Sequence, residues 1–215
     1  MYSSVARADS LEDAIMEYQK GNYSQVLELL HPIATEGNAI AQGLLGQMYL
    51  RGEGVDQNYF EALKWYRLAA EQGDAYSQGK LGGMYDRGLG VKRNHKESVK
   101  WLRLAAERGE ALAQTALGMS YQYGSGVNQN YQEAVKWYRL AAEQGEEIAQ
   151  YTLGSSYFHG EGVIQNYAEA AKWYRLAAEQ GNSYAQFNLG SSYFYGKGVV
   201  QDYEKAAKWF RLAAE

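Results

Sequence analysis

Three common features are missing from this 215-residue chain: cysteine, long apolar runs and an excess of positive charge. The absence of cysteine excludes disulfide bonds, thiolate metal ligands and a cysteine nucleophile. No apolar run approaches the roughly 20 residues that a membrane-spanning helix needs, so membrane insertion is not expected. The formal net charge of -4 offers no basic surface to a phosphate backbone, so nucleic acid is not an expected partner.

The chain is instead built on repetition. The segment WYRLAAEQG stands at residues 65–73, 137–145 and 173–181, with WLRLAAERG at 101–109 and WFRLAAE at 209–215. The glycines Gly73 and Gly109 are 36 residues apart, and the later copies keep this interval. A fixed period of this length is typical of stacked repeat arrays. The predicted parts are a disordered or processed N-terminus (residues 1–9), an N-terminal capping hairpin (10–37) and five repeats (38–73, 74–109, 110–145, 146–181 and 182–215).

Each repeat is predicted to contain two helices. Small and apolar residues recur at helical spacing in AIAQGLLGQMYLR and again in NYFEALKWYRLAAEQ. Gly52 and Gly54 break the pattern between them, and glycine is favoured past a helix end because the backbone there often takes a positive φ. Asn58 and Glu61 have the spacing of a capping box at the start of the second helix. The chain is therefore predicted to be all-α, a solenoid of helix-turn-helix repeats.

Tryptophan occupies one fixed place in the second helix of every repeat. The five positions are Trp65, Trp101, Trp137, Trp173 and Trp209. A ring of this size can reach the neighbouring helix and repeat, so the column is predicted to be a packing feature; ligand stacking is the rival hypothesis. The glycine in the middle of each first helix, such as Gly46, costs about 1 kcal/mol relative to alanine, which indicates close helix contact in return.

The repeat motif also carries a family resemblance. A-x-A-Q-x-x-L-G-x-x-Y-x-x-G-x-G-V followed by N-Y-x-E-A-x-K-W-Y-R-L-A-A-E-Q-G is similar to the Sel-one-like repeat (SLR) family, a relative of the tetratricopeptide repeat, over about residues 38–215. The resemblance implies a right-handed α/α superhelix that serves as a protein-binding scaffold or adaptor, without catalytic residues shared by the family. Bacterial members of the family are often exported or periplasmic, and they act in host contact, envelope signalling or toxin neutralisation.

The repeats differ from one another mainly on one arc of the first helix. By resemblance to tetratricopeptide solenoids, this arc is predicted to line a concave groove. The predicted partner-binding residues are Arg51, Lys80, Arg87, Met119, Tyr123, Tyr151, Phe158, His159, Phe187, Phe194 and Tyr195. Exposed aromatic rings are typical anchors of protein interfaces. We therefore expect a helix or an extended segment of another protein to bind there, with a basic end near Arg51 and Arg87. The alternative is that some rings, notably Phe158 and Phe194, fill space between repeats.

These patterns favour a non-catalytic interaction scaffold that binds a protein or peptide. The three histidines occupy different kinds of position, and neither H-E-x-x-H nor G-x-S-x-G occurs, so no catalytic residue, cofactor or metal is expected. Two alternatives stay open. One is a bacterial envelope protein that neutralises or tethers a specific protein, in immunity or host contact. The other is a structural or designed consensus array without a partner.

The two ends of the chain suggest further expectations. Ala6-Arg7-Ala8 has the form of a signal-peptidase site, so a periplasmic or secreted bacterial protein is expected if a signal peptide once preceded it, and a cytoplasmic one otherwise. At the other end, Trp209 and Leu212 lie in a helix that no later repeat covers. This favours either a longer natural chain or a homodimer in which two such repeats meet.

Overall fold

The computed structural model describes residues 4–215, with side chains from Leu11 onward. These residues form twelve α-helices and no strand, and they fall into two compact units, residues 1–108 and 109–215. The first unit contains α1 (Ser4–Lys20), α2 (Tyr23–Thr35), α3 (Ala39–Arg51), α4 (Tyr59–Glu71), α5 (Ala75–Arg87) and α6 (His95–Glu107). The second contains α7 (Ala111–Tyr123), α8 (Tyr131–Glu143), α9 (Glu147–His159), α10 (Tyr167–Glu179), α11 (Ser183–Tyr195) and α12 (Tyr203–Ala213). Each unit is a stack of helical hairpins, which confirms the predicted all-α solenoid. Within the described part of the chain, every helix is too short or too polar to span a bilayer.

The N-terminal hairpin, α1 and α2, begins earlier than the sequence predicts. Helix α1 includes positions 4–9 of the predicted disordered or processed end, because neither glycine nor proline interrupts the chain before Gly21. Residues 1–3 of that predicted end lie outside the described residues. Val26 and Leu30 of α2 are fully buried, together with Leu45 and Met48 of α3. The hairpin therefore shares a core with the first repeat.

The second helices begin with an asparagine cap, but the predicted capping box is only half formed. The Asn58 side chain accepts hydrogen bonds from the backbone N–H groups of Phe60 and Glu61, at 3.0 and 3.1 Å. The backbone N–H of Asn58 itself donates to the Tyr49 carbonyl at 2.9 Å and so closes the turn. Because that N–H is already used, Glu61 does not reach back to it and instead pairs with Lys64 at 3.2 Å.

The two glycines of the turn have different structural roles. Gly52 ends α3 in the left-handed conformation with φ 74°, as the sequence predicts. The second glycine of the pair allows two repeats to touch through their backbones. At Gly162, with φ 73°, an added Cβ would lie 2.2 Å from the carbonyl oxygen of Tyr131 in the preceding repeat. No side chain fits there, so this glycine is a contact point.

In the five repeats, the residue that follows the tryptophan packs against the facing first helix. The core tyrosines are Tyr66, Tyr138 and Tyr174, each at most 1% exposed. Each of these rings lies against the mid-helix glycine of the facing first helix. At Gly154, for example, an added Cβ would lie 2.7 Å from Cδ1 of Tyr174. The close helix contact predicted from these glycines is thus confirmed, with this aromatic column as its partner.

The tryptophans pack between successive hairpins. Trp65 is 5% exposed and belongs to the core shared by the N-terminal hairpin and α3, with the His31 ring edge-on at 5.8 Å. Trp173 packs against a core cluster that contains Val135 of the preceding repeat and Leu153 of its own repeat. The predicted packing column is confirmed at these positions.

Hydrogen bonds also join one hairpin to the next. In the second unit, the Arg139 guanidinium donates to the Tyr157 hydroxyl of the following repeat at 2.8 Å. The buried Gln150 side chain donates to the carbonyl oxygen of Ala142 at 3.2 Å and accepts from Gln180 at 2.8 Å. The polar motif residues are therefore used to fix the stacking of repeats.

Candidate functional site

The candidate site is a stripe along the first helix of each repeat. In α11 the stripe is Tyr184, Asn188, Ser191 and Tyr195, which share one face because they are three or four residues apart. The stripe includes a column of large apolar residues that the sequence prediction missed. The members of that column are Ile40, Tyr76, Leu112, Ile148 and Tyr184, which are 37% to 71% exposed. The signal was present in the sequence as the variable x of the A-x-A-Q motif, which stays large and apolar in all five copies.

In the second unit, the stripe and its flank carry exposed rings. Tyr123 and Tyr184 are each 71% exposed, Tyr195 is 67% exposed and Phe187 is 56% exposed. We call the following residues the aromatic face: Tyr123, Tyr151, His159, Tyr184, Phe187 and Tyr195. Single exposed apolar side chains are common on proteins, but a group of large rings on the first helices of one unit is typical of an interaction surface.

Tyr151 connects the aromatic face to the core. Its ring centroid lies 6.0 Å from that of the core residue Tyr174 and 5.9 Å from that of the exposed Tyr184 in the next repeat. Burial raises the pKa of the Tyr151 hydroxyl, and a hydrogen bond from Asn188 partly offsets the rise. Burial raises the pKa of Tyr174 as well. Tyr151 and Tyr174 therefore stay uncharged at neutral pH, and Tyr151 is packed against the core.

Three of the predicted binding residues are partly committed to packing. Phe158 is half-buried against Tyr167 and Tyr174 of its own repeat, at centroid distances of 5.1 and 6.4 Å. Phe194 lies 5.4 Å from Tyr203 in the same way, although it remains 42% exposed. Met119 packs against the core of the second unit. These side chains support the aromatic face from its edges.

The first unit carries a different surface. The Arg51 guanidinium lies 3.3 Å from Glu53, whose carboxylate also accepts from the Tyr18 hydroxyl at 2.5 Å. The Glu53 hydrogen bond raises the pKa of Arg51. The Lys80 amine lies over the Tyr76 ring, 4.8 Å from its centroid. The predicted basic residues are present, but the charge of Arg51 is already compensated by a neighbouring carboxylate.

The remaining predicted residues and histidines have ordinary surface roles. Arg87 is exposed and donates to the Gly83 carbonyl of its own helix at 3.3 Å. His159 is exposed, with its ring edge-on to Phe158 at 5.1 Å. His95 lies 2.8 Å from Asp86. Among the residues described, no three histidine, aspartate or glutamate side chains are grouped so that they could hold a metal ion.

Comparison with known proteins gives the family. The Sel1 repeat model matches residues 39–74, 75–110, 111–146, 148–182 and 183–215. A search of curated proteins gives no significant match. Among solved structures, the chain is similar to a protective antigen with an SLR fold present in uropathogenic Escherichia coli strains. The TM-score is 0.90 and the identity 39%, over 97% of this chain but only 45% of that one. This chain therefore spans less than half of that relative.

Two further structures agree. A Sel1 repeat protein from Oxalobacter formigenes has a TM-score of 0.89 and 37% identity, over 96% of this chain and 82% of that one. An immunity protein from Pseudomonas aeruginosa has a TM-score of 0.61 over 94% of this chain and 81% of that one, and at 22% identity it shows the fold alone. Sel1 repeat proteins are generally scaffolds for protein interaction. With five consecutive repeats matched from residue 39 to residue 215, the chain belongs to the Sel1 repeat family.

Proposed function

We propose that this chain is a non-catalytic scaffold that captures a segment of a partner protein on the aromatic face of its second unit. The observation that carries the proposal is the exposure of Tyr123, Tyr184 and Tyr195, each about two-thirds or more open to solvent. Removing large aromatic rings from water is favourable. Because this fold leaves these rings exposed on one surface, a partner protein that covered them would gain that free energy as binding energy. Aromatic residues of this kind commonly dominate the binding energy of an interface.

Contacts with neighbouring rings hold the exposed rings in place, which favours a binding role for them. Tyr151 lies between a buried ring and an exposed ring, and Phe187 lies 5.4 Å from Phe210 of the following helix. A ring held in this way loses little conformational freedom when it binds. The aromatic face is therefore a preorganised surface.

A pull-down with matched variants tests the proposal. The triple variant Tyr123→Ser, Tyr184→Ser and Tyr195→Ser removes the exposed rings and leaves Tyr151 in place. The control is Phe60→Ser, since Phe60 is 66% exposed but lies at the start of α4 in the first unit. We expect proteins from the source cells to be retained by the wild type and the control and lost with the triple variant. Equal retention by all three proteins contradicts the proposal, and circular dichroism checks that each variant is folded.

A role at the bacterial envelope is a second candidate. The observation that favours it is the 39% identity to a protein described as a protective antigen of uropathogenic Escherichia coli. Under this proposal the partner is a specific protein that the scaffold neutralises or tethers outside the cytoplasm. Fractionation of the source cells tests it: recovery from the periplasm or cell surface supports the proposal, and recovery from the cytoplasm alone refutes it.

A further inference from the structure

The first helices of the second unit are almost free of charge. Helices α7, α9 and α11 carry no lysine, arginine or aspartate; their ionisable side chains apart from tyrosine are His159 and Glu147. The Glu147 carboxylate accepts a hydrogen bond from Asn182 at 2.7 Å. The corresponding helices of the first unit, α3 and α5, carry Arg51, Lys80, Asp86 and Arg87. The lack of charge is therefore specific to the unit that presents the aromatic face.

This lack of charge restricts the kind of segment that can bind. A charged side chain laid on the aromatic face would lose hydration without gaining an opposite charge, which is unfavourable. The basic group of Lys197 lies at the edge, 5.3 Å from the ring centroids of Phe158 and Tyr167. The centre of the face therefore complements an uncharged partner.

The hydroxyl groups restrict the conformation of the partner. Within the described residues, the hydroxyls of Tyr123, Tyr184 and Tyr195 make no hydrogen bond, so they are available to a ligand. A helix satisfies its own backbone groups and has little use for these donors. A polyproline II segment has no internal hydrogen bonds, so its carbonyl oxygens can accept from tyrosine hydroxyls while its apolar rings stack on aromatic ones.

We propose that the aromatic face binds an uncharged, proline-rich segment of a partner protein in an extended polyproline II conformation. The inference rests on the proposed function and adds the chemistry of the partner. The tyrosine and phenylalanine rings provide the stacking surface, and the free tyrosine hydroxyls provide the donors. Binding that does not depend on ion pairs is insensitive to salt.

Synthetic peptides test this inference by fluorescence anisotropy. Three labelled peptides of about twelve residues are compared: an uncharged proline-rich peptide, an uncharged helix-forming peptide and a proline-rich peptide with several lysine and glutamate residues. Each is titrated with wild type, with the double variant Tyr184→Ser and Tyr195→Ser, and with Phe60→Ser. We expect the uncharged proline-rich peptide to bind most tightly and to lose about tenfold or more in affinity with the double variant only. Its affinity should change less than about twofold between about 50 mM and about 500 mM NaCl.

The outcomes separate this inference from the proposed function. If the helical or charged peptide binds better, and the same double variant weakens it, the aromatic face is a binding surface but the proposed partner chemistry is wrong. If none of the three peptides binds while the pull-down still depends on the aromatic face, the proline-rich inference is again overturned and the scaffold function stands. If neither assay responds to the variants, both are overturned.

Discussion

Two adjacent glycines in α5 provide a sharp test of the packing, because the structure predicts opposite effects for the same substitution. At Gly82, an added Cβ would lie 2.7 Å from Cγ and 3.2 Å from the backbone nitrogen of Leu102 in α6. At Gly83, the nearest atom is the end of the Arg87 side chain, 3.7 Å away. Gly82→Ala therefore requires α5 and α6 to move apart, whereas Gly83→Ala makes only an ordinary van der Waals contact with the end of a flexible side chain.

The magnitudes follow from two terms. Replacing glycine by alanine inside a helix stabilises it by about 1 kcal/mol, and this gain applies to both variants. Overpacking a close helix contact costs about 1–3 kcal/mol and applies only to Gly82→Ala. We expect Gly83→Ala to be more stable than wild type by up to about 1 kcal/mol, and Gly82→Ala to be less stable than Gly83→Ala by about 1–3 kcal/mol.

Urea unfolding followed by circular dichroism measures the difference, since the two variants have the same composition and the same helix. In a chain of this length, each kcal/mol also shifts Tm by about 2–4 °C, so thermal unfolding gives an independent check. Equal stability of the two variants would refute the close contact between α5 and α6. A stable Gly82→Ala protein would also remove the reason given for glycine at this position in every repeat.

Three more predictions follow from the same structure. Burial raises the pKa of the core tyrosines above the unfolded value near 10. Above that pH, tyrosine loses its proton in the unfolded state but keeps it in the folded state. The free energy of unfolding therefore falls by up to about 1.4 kcal/mol per pH unit for each ring. Urea midpoints between about pH 8 and about pH 11 measure this fall, Tyr138→Phe should make it shallower, and a flat profile would contradict the burial. Gly162→Ala should destabilise the protein by more than about 2 kcal/mol, because the added Cβ would meet the backbone of the preceding repeat. Gly145 is the control: its φ is also positive, but no atom lies within 4 Å of an added Cβ, so Gly145→Ala should cost about 1–2 kcal/mol. Similar urea midpoints for the two variants would argue against the backbone contact. Asn166→Ala should destabilise the protein by about 1 kcal/mol through loss of the helix cap. Glu169→Gln should cost much less, because the Glu169 carboxylate pairs with Lys172 on the surface and does not complete a capping box. Equal losses of stability in thermal unfolding would show that the capping box does form.

The helices and their order could be predicted from the sequence because the signals are local. Helical spacing, asparagine caps and glycine ends repeat every 36 residues, so five copies support one assignment. The partner of Gly46 could not be predicted in the same way. Trp65 and Tyr66 are adjacent in one helix and point about 100° apart, and only the packed structure shows that the tyrosine faces the glycine.

The capping box shows how tertiary structure changes a local rule. The spacing of Asn58 and Glu61 predicts two reciprocal hydrogen bonds, yet only the asparagine bond forms. The second bond would need the Asn58 N–H, which the Tyr49 carbonyl already takes to close the turn. The capping motif alone therefore predicts a glutamate hydrogen bond that the preceding turn prevents.

The candidate site was predicted in part. Comparison among repeats finds positions that change, and it correctly directs attention to the exposed Tyr123 and Tyr195. It passes over the column that ends in Tyr184, because those side chains stay large and apolar in every copy. It also cannot show that Arg51 is paired with Glu53, since that contact depends on where the turn folds back. Binding by the predicted residues remains a prediction.

Site-specific crosslinking tests the central claim most directly. A photoreactive benzoylphenylalanine is placed at position 184 of the aromatic face or, as the control, at position 60 in α4, and each protein is irradiated with the partner retained in the pull-down. The account predicts that position 184 forms a covalent adduct with an uncharged, proline-rich stretch of the partner and that position 60 forms none. Adducts at position 60, or a bound partner that never crosslinks at position 184, would contradict it.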